Sequence, residues 1–388
     1  QVNSATALRL LGRDTDAAGA YARALAIDPS RVEIWITLGN TFDRLQRHDD
    51  ALRCWDHALT LKPDCAEAHW NKGLEQLLLG DFEQGFAEYE WRWKRAGNAP
   101  RDFGVPQWRG EDVSGTSLAG KTILLHAEQG FGDTIQFVRY LPTLAARGAK
   151  IVLEVPDSLM PLIGDIDGVI AMISRGQPHP PIDLHCPLMS LPLAFGTTLA
   201  TIPATVPYLR APAERVEAWR ARLPASGKLR VGLVWSGKPT HRNDHNRSIA
   251  FAQLAPVLAV PNIDFVSLQR DVRETDAPAL QNAAAVLRPD LDQADFADTA
   301  AIIETLDLVI AVDTAVAHLT GALAKPLWLL LPLCPDWRWL LDRTDSSWYP
   351  GARLFRQPRI GDWDSVIGRV AEGLASFAAT RDTPVTYL

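Results

Sequence analysis

The sequence predicts an α + α/β chain in which a helical repeat array precedes two doubly wound parallel-sheet domains. Three observations predict it. The N-terminal quarter aligns with itself at a period of 34 residues, carried by Ala17, Ala51 and Gly85, by Tyr21, Trp55 and Tyr89, and by Pro29 and Pro63. From Lys121 the texture changes to short apolar runs alternating with amphipathic stretches, and this pattern restarts near Leu229. The segment Leu308 to Leu331, LVIAVDTAVAHLTGALAKPLWLLL, reads strand, turn, helix and strand, and a βαβ unit of this kind requires parallel strands.

A chain of 388 residues exceeds one ordinary core, so two or three domains are expected. Its 47% hydrophobic and 22% charged composition is that of a globular protein in water. The net charge of -7 argues against nucleic acid or an anionic membrane as partner, because those affinities come from Lys and Arg neutralising phosphates. Cys54, Cys65, Cys186 and Cys334 show no CxxC pairing, which points to neither a disulfide framework nor a zinc site and fits a reducing cytoplasm. No apolar run approaches the roughly 20 residues of a membrane span, and the start carries no signal peptide. The chain begins at Gln1 rather than Met, which fits a fragment whose leader is removed.

Residues 1–95 form the array. Its middle copy holds Trp35, Leu38, Gly39, Phe42, Ala51, Trp55, Ala58 and Pro63, a pattern that resembles tetratricopeptide repeats (TPR). The small residues let paired helices approach closely, the aromatics fill the space between them, and proline ends the second helix. The third copy departs at Arg92, in the run Glu-Tyr-Glu-Trp-Arg-Trp-Lys, and this reads as the array docking onto the next domain. Such repeats either bind an extended peptide on a concave face or serve as a structural or dimerising cap, and the sequence leaves both open. Residues 96–120, with Gly97, Pro100, Gly104, Pro106, Gly110, Gly115, Gly120 and Trp108, read as a linker packed against something.

Residues 121–212 form the first α/β domain. Thr122 to His126 is a strand, Gly130-Phe131-Gly132-Asp133 a turn, and Ile135 to Ala146 an amphipathic helix; Ile151 to Val155 and Ile182 to Cys186 are further strands. Residues 213–388 form the second domain. There Val216 to Leu223 is helical, Leu229 to Trp235 a strand, Phe251 to Leu258 a helix, Asp264 to Leu268 a strand and Asp298 to Leu306 a helix before the βαβ unit. An aromatic stretch with Trp337, Trp339, Trp348, Tyr349 and Trp363 follows. A helix from Ser365 to Phe377 closes the chain and is placed to pack back on the first domain.

The Gly-x-Gly-Asp turn after the first strand and Asp313-Thr314-Ala315-Val316-Ala317-His318 on the last βα turn resemble the GT-B glycosyltransferases, nearest the heptosyltransferase-like family of lipopolysaccharide synthesis. The resemblance covers roughly Lys121 to Ala378, and the fused repeats are similar in layout to the O-linked N-acetylglucosamine transferases. It implies two Rossmann-like domains, with the acceptor on the first and a nucleotide-sugar donor on the second. It implies that Asp313, Thr314, Ala315 and His318 lie over the donor diphosphate, with Ala315 where the family has glycine. It also implies Asp133 as the catalytic base, with Gln129, Gly130 and Gly132 beside it on the acceptor side. His126-Ala127-Glu128-Gln129 stands where the family has an arginine, which implies a different acceptor.

Each residue also has a plainer reading. Asp133 is either a base for an acceptor hydroxyl or a cap for the helix that follows, a role that contributes about 1 kcal/mol. Glu128 and His126 are the reserve candidates. Ser236, Gly237, Lys238 and Arg247 offer hydroxyl, backbone N–H and charge-assisted bonds to a diphosphate leaving group, or else belong to a solvated loop. Gln269 stands at the strand end that meets the donor sugar or base. His318 falls one helical turn beyond Thr314, facing the same ligand or filling the core. The tryptophans from Trp337 to Trp348 either stack on a sugar or pack against the first domain. Asp14/Asp16, Asp165/Asp167, Asp290/Asp292 and Asp362/Asp364 are read as turns and caps, so no metal and no other cofactor is expected.

The expected function is a cytoplasmic, metal-independent glycosyltransferase acting from a nucleotide sugar on a protein, peptide or glycan acceptor. The alternatives are a non-catalytic interaction protein built on a decayed transferase scaffold, and a sugar-nucleotide epimerase of the same architecture.

Overall fold

The structure is a computed structural model that describes residues 2–111, 115–164, 166–223, 226–289, 291 and 295–381. The chain divides into two compact units. The first comprises Gln1–Gly104, Pro192–Ile202 and Asp336–Asp342, and the second comprises Val105–Leu191, Pro203–Pro335 and Arg343–Leu388. No helix among the described residues is long and apolar enough to cross a membrane.

The first unit is helical and resembles tetratricopeptide repeats. Its helices are α1 (Val2–Leu10), α2 (Asp14–Ile27), α3 (Val32–Arg44), α4 (His48–Leu61), α5 (Ala66–Leu78) and α6 (Phe82–Tyr89). Pro29 and Pro63 follow the ends of α2 and α4, where a missing N–H ends the hydrogen-bond ladder. The small residues of the repeat mark close crossings: a Cβ on Gly39 would stand 2.5 Å from Trp55 Nε1, and one on Gly85 2.7 Å from Leu77 Cγ. Ala17, Tyr21, Ala24, Ile34, Leu38 and Cys54 share one apolar cluster. Beyond α6 the chain tightens into a 3₁₀ turn, Glu90–Lys94, in which Arg92 is buried against the Tyr89 and Trp93 rings. Trp337 also belongs to this unit, edge-on to Phe86 at 5.5 Å and to Phe82 at 6.0 Å.

The second unit holds two parallel sheets. The first contains β1 (Thr122–His126), β2 (Lys150–Val155), β3 (Val169–Ser174) and β4 (Leu184–Pro187) in the order β3-β2-β1-β4. The second contains β5 (Leu229–Val234), β6 (Ile263–Ser267), β7 (Val286–Leu287), β8 (Leu308–Val312), β9 (Leu327–Leu331) and β10 (Ala352–Arg356) in the order β10-β9-β8-β5-β6-β7. Strands β8 and β9 are buried at every position, as a parallel sheet covered on both faces demands. In each sheet the order reverses beside the first strand, between β1 and β4 and between β5 and β8. A doubly wound sheet opens a crevice at such a reversal, outside the carboxyl ends of the strands.

Several local expectations are corrected. The helix expected from Ile135 to Ala146 is instead Phe131–Phe137, a 3₁₀ turn and Leu141–Ala146, because Pro142 cannot donate to the preceding turn. The Phe251 to Leu258 helix likewise begins as a 3₁₀ turn before Pro256. Strands β3, β7 and β10 were not expected. β3 lies at the edge of its sheet and is only partly buried, so its residues carry a weaker apolar signal than a central strand does. The linker residue Trp108 is fully buried, with its N–H donated to the His185 carbonyl at 2.8 Å.

Candidate functional site

At the β5/β8 reversal the loop after β5 is held from beneath by one side chain. Gln269, buried just beyond β6, accepts from the N–H groups of Trp235 and Ser236 at 3.2 and 3.1 Å through Oε1. Its Nε2 donates to the carbonyls of Ser236 and Asp271 at 3.0 and 3.1 Å. Through these bonds Gln269, at the strand end expected to meet the donor, shapes the loop after β5. The Gly237 N–H donates to Ser248 Oγ at 3.0 Å, and the Arg247 guanidinium lies so flat on Gly237 that a Cβ there would stand 2.6 Å from NH2.

Arg247 also joins the two strand ends, since its NH1 donates to the Asp313 carbonyl at 2.8 Å. Thr314 is the N-cap of the helix Ala315–Ala322, yet its hydroxyl makes no capping bond. Ser236 Oγ, Thr314 Oγ1 and Arg247 Nε are all buried, and none has a hydrogen-bond partner among the described residues. Buried polar atoms are usually paired, and these three fall together beside the ends of two adjacent strands, where a bound group could satisfy them. Two hydroxyls, a guanidinium and a helix N-terminus favour an anion there. Asp244 lies 3.9 Å from Arg247 Nε and tempers that charge, while Lys238 is exposed on the same loop.

His318 sits one turn into the helix and is 5% exposed. Its Nδ1 meets the Tyr349 hydroxyl at 2.9 Å, and its Nε2 is 3.8 Å from Asp313 Oδ1. A Cβ on Gly132 would come within 2.7 Å of His318 Cδ2, so the Gly-x-Gly-Asp turn closes directly on this imidazole. Asp133 is the third residue of the helix Phe131–Phe137, half-buried, and its Oδ2 accepts the Gly130 N–H at 2.8 Å. Both roles considered for Asp133 start from this geometry: the bond steadies the turn and fixes the carboxylate. Gln129 and Gly130 are exposed and Glu128 is half-buried, whereas His126 is buried in the sheet with its Nε2 3.4 Å from His185 Nδ1.

The sequence reading missed Tyr349, Ser248 and Arg139. Arg139 is buried and donates to the Trp348 carbonyl at 2.9 Å and to the Tyr208 hydroxyl at 3.1 Å, under the rings of Tyr208, Trp348 and Tyr349. Burial works against its charge, and the adjacent Tyr208 and Tyr349 outweigh it, raising its pKa. By fixing the Trp348–Tyr349 segment it fixes the partner of His318. Of the acidic pairs, Asp14 bonds Arg44 and Asp16 bonds Arg13, while Asp362 accepts the Ser365 N–H and pairs with Arg359. Asp165, Asp290 and Asp292 lie outside the described residues.

No protein-family model matches the chain. It is 27% identical to Protein FlbA of Caulobacter vibrioides, in an alignment that covers 97% of this chain and 73% of that protein. A glycosyl transferase family 9 structure from Veillonella parvula superposes with a TM-score of 0.47 and 11% identity, over 68% of this chain and 98% of its own. The Sgt2 TPR domain from Aspergillus fumigatus superposes with a TM-score of 0.24 and 20% identity, over 26% of this chain and 67% of its own.

Proposed function

We propose that the chain is a GT-B-type glycosyltransferase that holds the diphosphate of a nucleotide sugar at the β5/β8 reversal. The observation that carries this reading is the set of buried polar atoms without a hydrogen-bond partner among the described residues, Ser236 Oγ, Thr314 Oγ1 and Arg247 Nε, at one of the two reversals where a doubly wound sheet presents a crevice. Charge develops on the leaving nucleotide in the transition state, and the Ser236 loop, held by Gln269 and Ser248, and Arg247, held by the Asp313 carbonyl, meet it with little reorganisation. In this reading the transfer is metal-independent, with Lys238 swinging over the phosphates. Asp133, its carboxylate oriented by the Gly130 N–H, takes the proton of an acceptor hydroxyl. The acceptor is a protein, peptide or glycan, and the setting is the cytoplasm.

The bond from Gly130 to Asp133 equally favours a second reading, in which the carboxylate only caps its turn and the fold serves as a nucleotide-binding scaffold. Asp133→Asn separates them. The transferase reading expects sugar transfer from a panel of nucleotide sugars to fall at least a hundredfold, on the order of the contribution of a general base, with nucleotide affinity unchanged. Transfer that persists at the unsubstituted rate would remove Asp133 from the chemistry, and no transfer by either protein would leave the scaffold.

A further inference from the structure

The helical unit contains a second polar cluster that the transferase reading does not use. Asp43 near the end of α3, His48 at the start of α4 and Glu75 in α5 bring one ligating atom each within 4.8 Å of one another. His48 Nδ1 and Glu75 Oε1 are in contact at 2.5 Å, and Glu75 is only 3% exposed although it carries a carboxylate. Glu75 also acts on Asp43, and Asp342 from the far end of the chain acts on His48. Two carboxyl groups therefore meet one imidazole inside a helix bundle, with Asp342 acting on His48 and the Arg44 cation acting on Asp43 from further off. A buried surplus of carboxylates needs either protons or a cation.

From this geometry we propose that Asp43, His48 and Glu75 form a divalent transition-metal site that ties α3, α4 and α5 together. An ion bound at about 2.0–2.2 Å from each ligand needs donor atoms roughly 3–3.5 Å apart, so binding requires the His48–Glu75 contact of 2.5 Å to open and the atoms now up to 4.8 Å apart to draw in. One imidazole nitrogen with two carboxylates favours zinc over magnesium or calcium, which prefer all-oxygen shells. The remaining positions fall to water. The ion would replace the shared protons and join three helices of neighbouring repeats, a structural role with no part in sugar transfer. This departs from the metal-free expectation for the helical unit alone.

The test is calorimetric titration of zinc sulfate into the full chain after stripping with EDTA. The site predicts one zinc per chain, an unfolding midpoint raised by a few degrees at saturation, and binding at least tenfold weaker in both His48→Gln and Asp43→Asn. His69→Gln, which alters the similar pair with Glu88, should bind as the unsubstituted chain does. Cobalt(II) provides an independent readout on the unsubstituted chain, should either variant fail to fold. Visible bands without thiolate charge transfer support the nitrogen and oxygen donor set. Thiolate bands, unchanged affinity in folded His48→Gln, or no zinc bound at micromolar concentration would each overturn the proposal.

Discussion

Gln269 and Ser236 sit within one hydrogen bond of each other, yet their substitutions should do opposite things. Gln269 satisfies two buried N–H groups, so Gln269→Ala leaves both unpaired and should cost about 2–4 kcal/mol, read as a lower urea midpoint. An unchanged midpoint would mean that the loop holds its shape without this clamp. Ser236 Oγ has no protein partner among the described residues, so Ser236→Ala removes nothing the fold uses. Its stability should stay within about 0.5 kcal/mol, whereas affinity for a nucleoside diphosphate should fall roughly tenfold, about 1.4 kcal/mol. Equal affinity in the two proteins would show that this hydroxyl does not touch the anion.

At the scale of elements, the α3–α4–α5 junction should make the helical unit sensitive to pH when metal is kept away with EDTA. Burial, followed by the charge of Glu75, raises the Asp43 carboxyl from its ordinary 3.8 to about 7. The folded state thus keeps a proton that the unfolded chain releases, so stability is greatest below about pH 4 and declines as pH climbs towards 7. His48, raised above its ordinary 6.5 by its bond to Glu75, adds stability that is lost as pH rises through the raised value. The two slopes have the same sign. Thermal melts followed by circular dichroism should show the helical transition falling from pH 4 to pH 8, and Asp43→Asn should flatten its lower half. A melt that rises over that range would contradict the assigned proton.

For the molecule as a whole, the proposed donor site makes a ligand-linkage prediction. A nucleoside diphosphate present at about 100 times its dissociation constant should stabilise the chain by roughly 2.7 kcal/mol, equally with magnesium and with EDTA. Stabilisation that requires magnesium would replace the metal-free diphosphate site with a metal-assisted one. The net charge of -7 does not oppose such binding, because the donors at the β5/β8 reversal act over a few ångströms, well inside the screening length of physiological salt.

Periodicity and turn chemistry are local, and what depends on them was legible in the chain itself. The 34-residue repeat announced the paired helices, and the run from Leu308 to Leu331 announced a strand, helix and strand that fall at Leu308–Val312, Ala315–Ala322 and Leu327–Leu331. Strand ends followed by Ser-Gly and by Asp-Thr also singled out Ser236, Arg247 and Thr314, and the structure sets them at the ends of the paired strands β5 and β8, with Arg247 bonded to the Asp313 carbonyl. Partnership between distant side chains is not local. The sheet order sets Gln269 beneath Ser236, 33 positions away, and brings Tyr349 to His318 across 31. Asp43 meets Glu75 only because α3 and α5 belong to successive repeats. A side chain's nearest neighbours in sequence decide which element it enters, whereas the packing of elements decides which polar atoms find partners and which are left to a ligand.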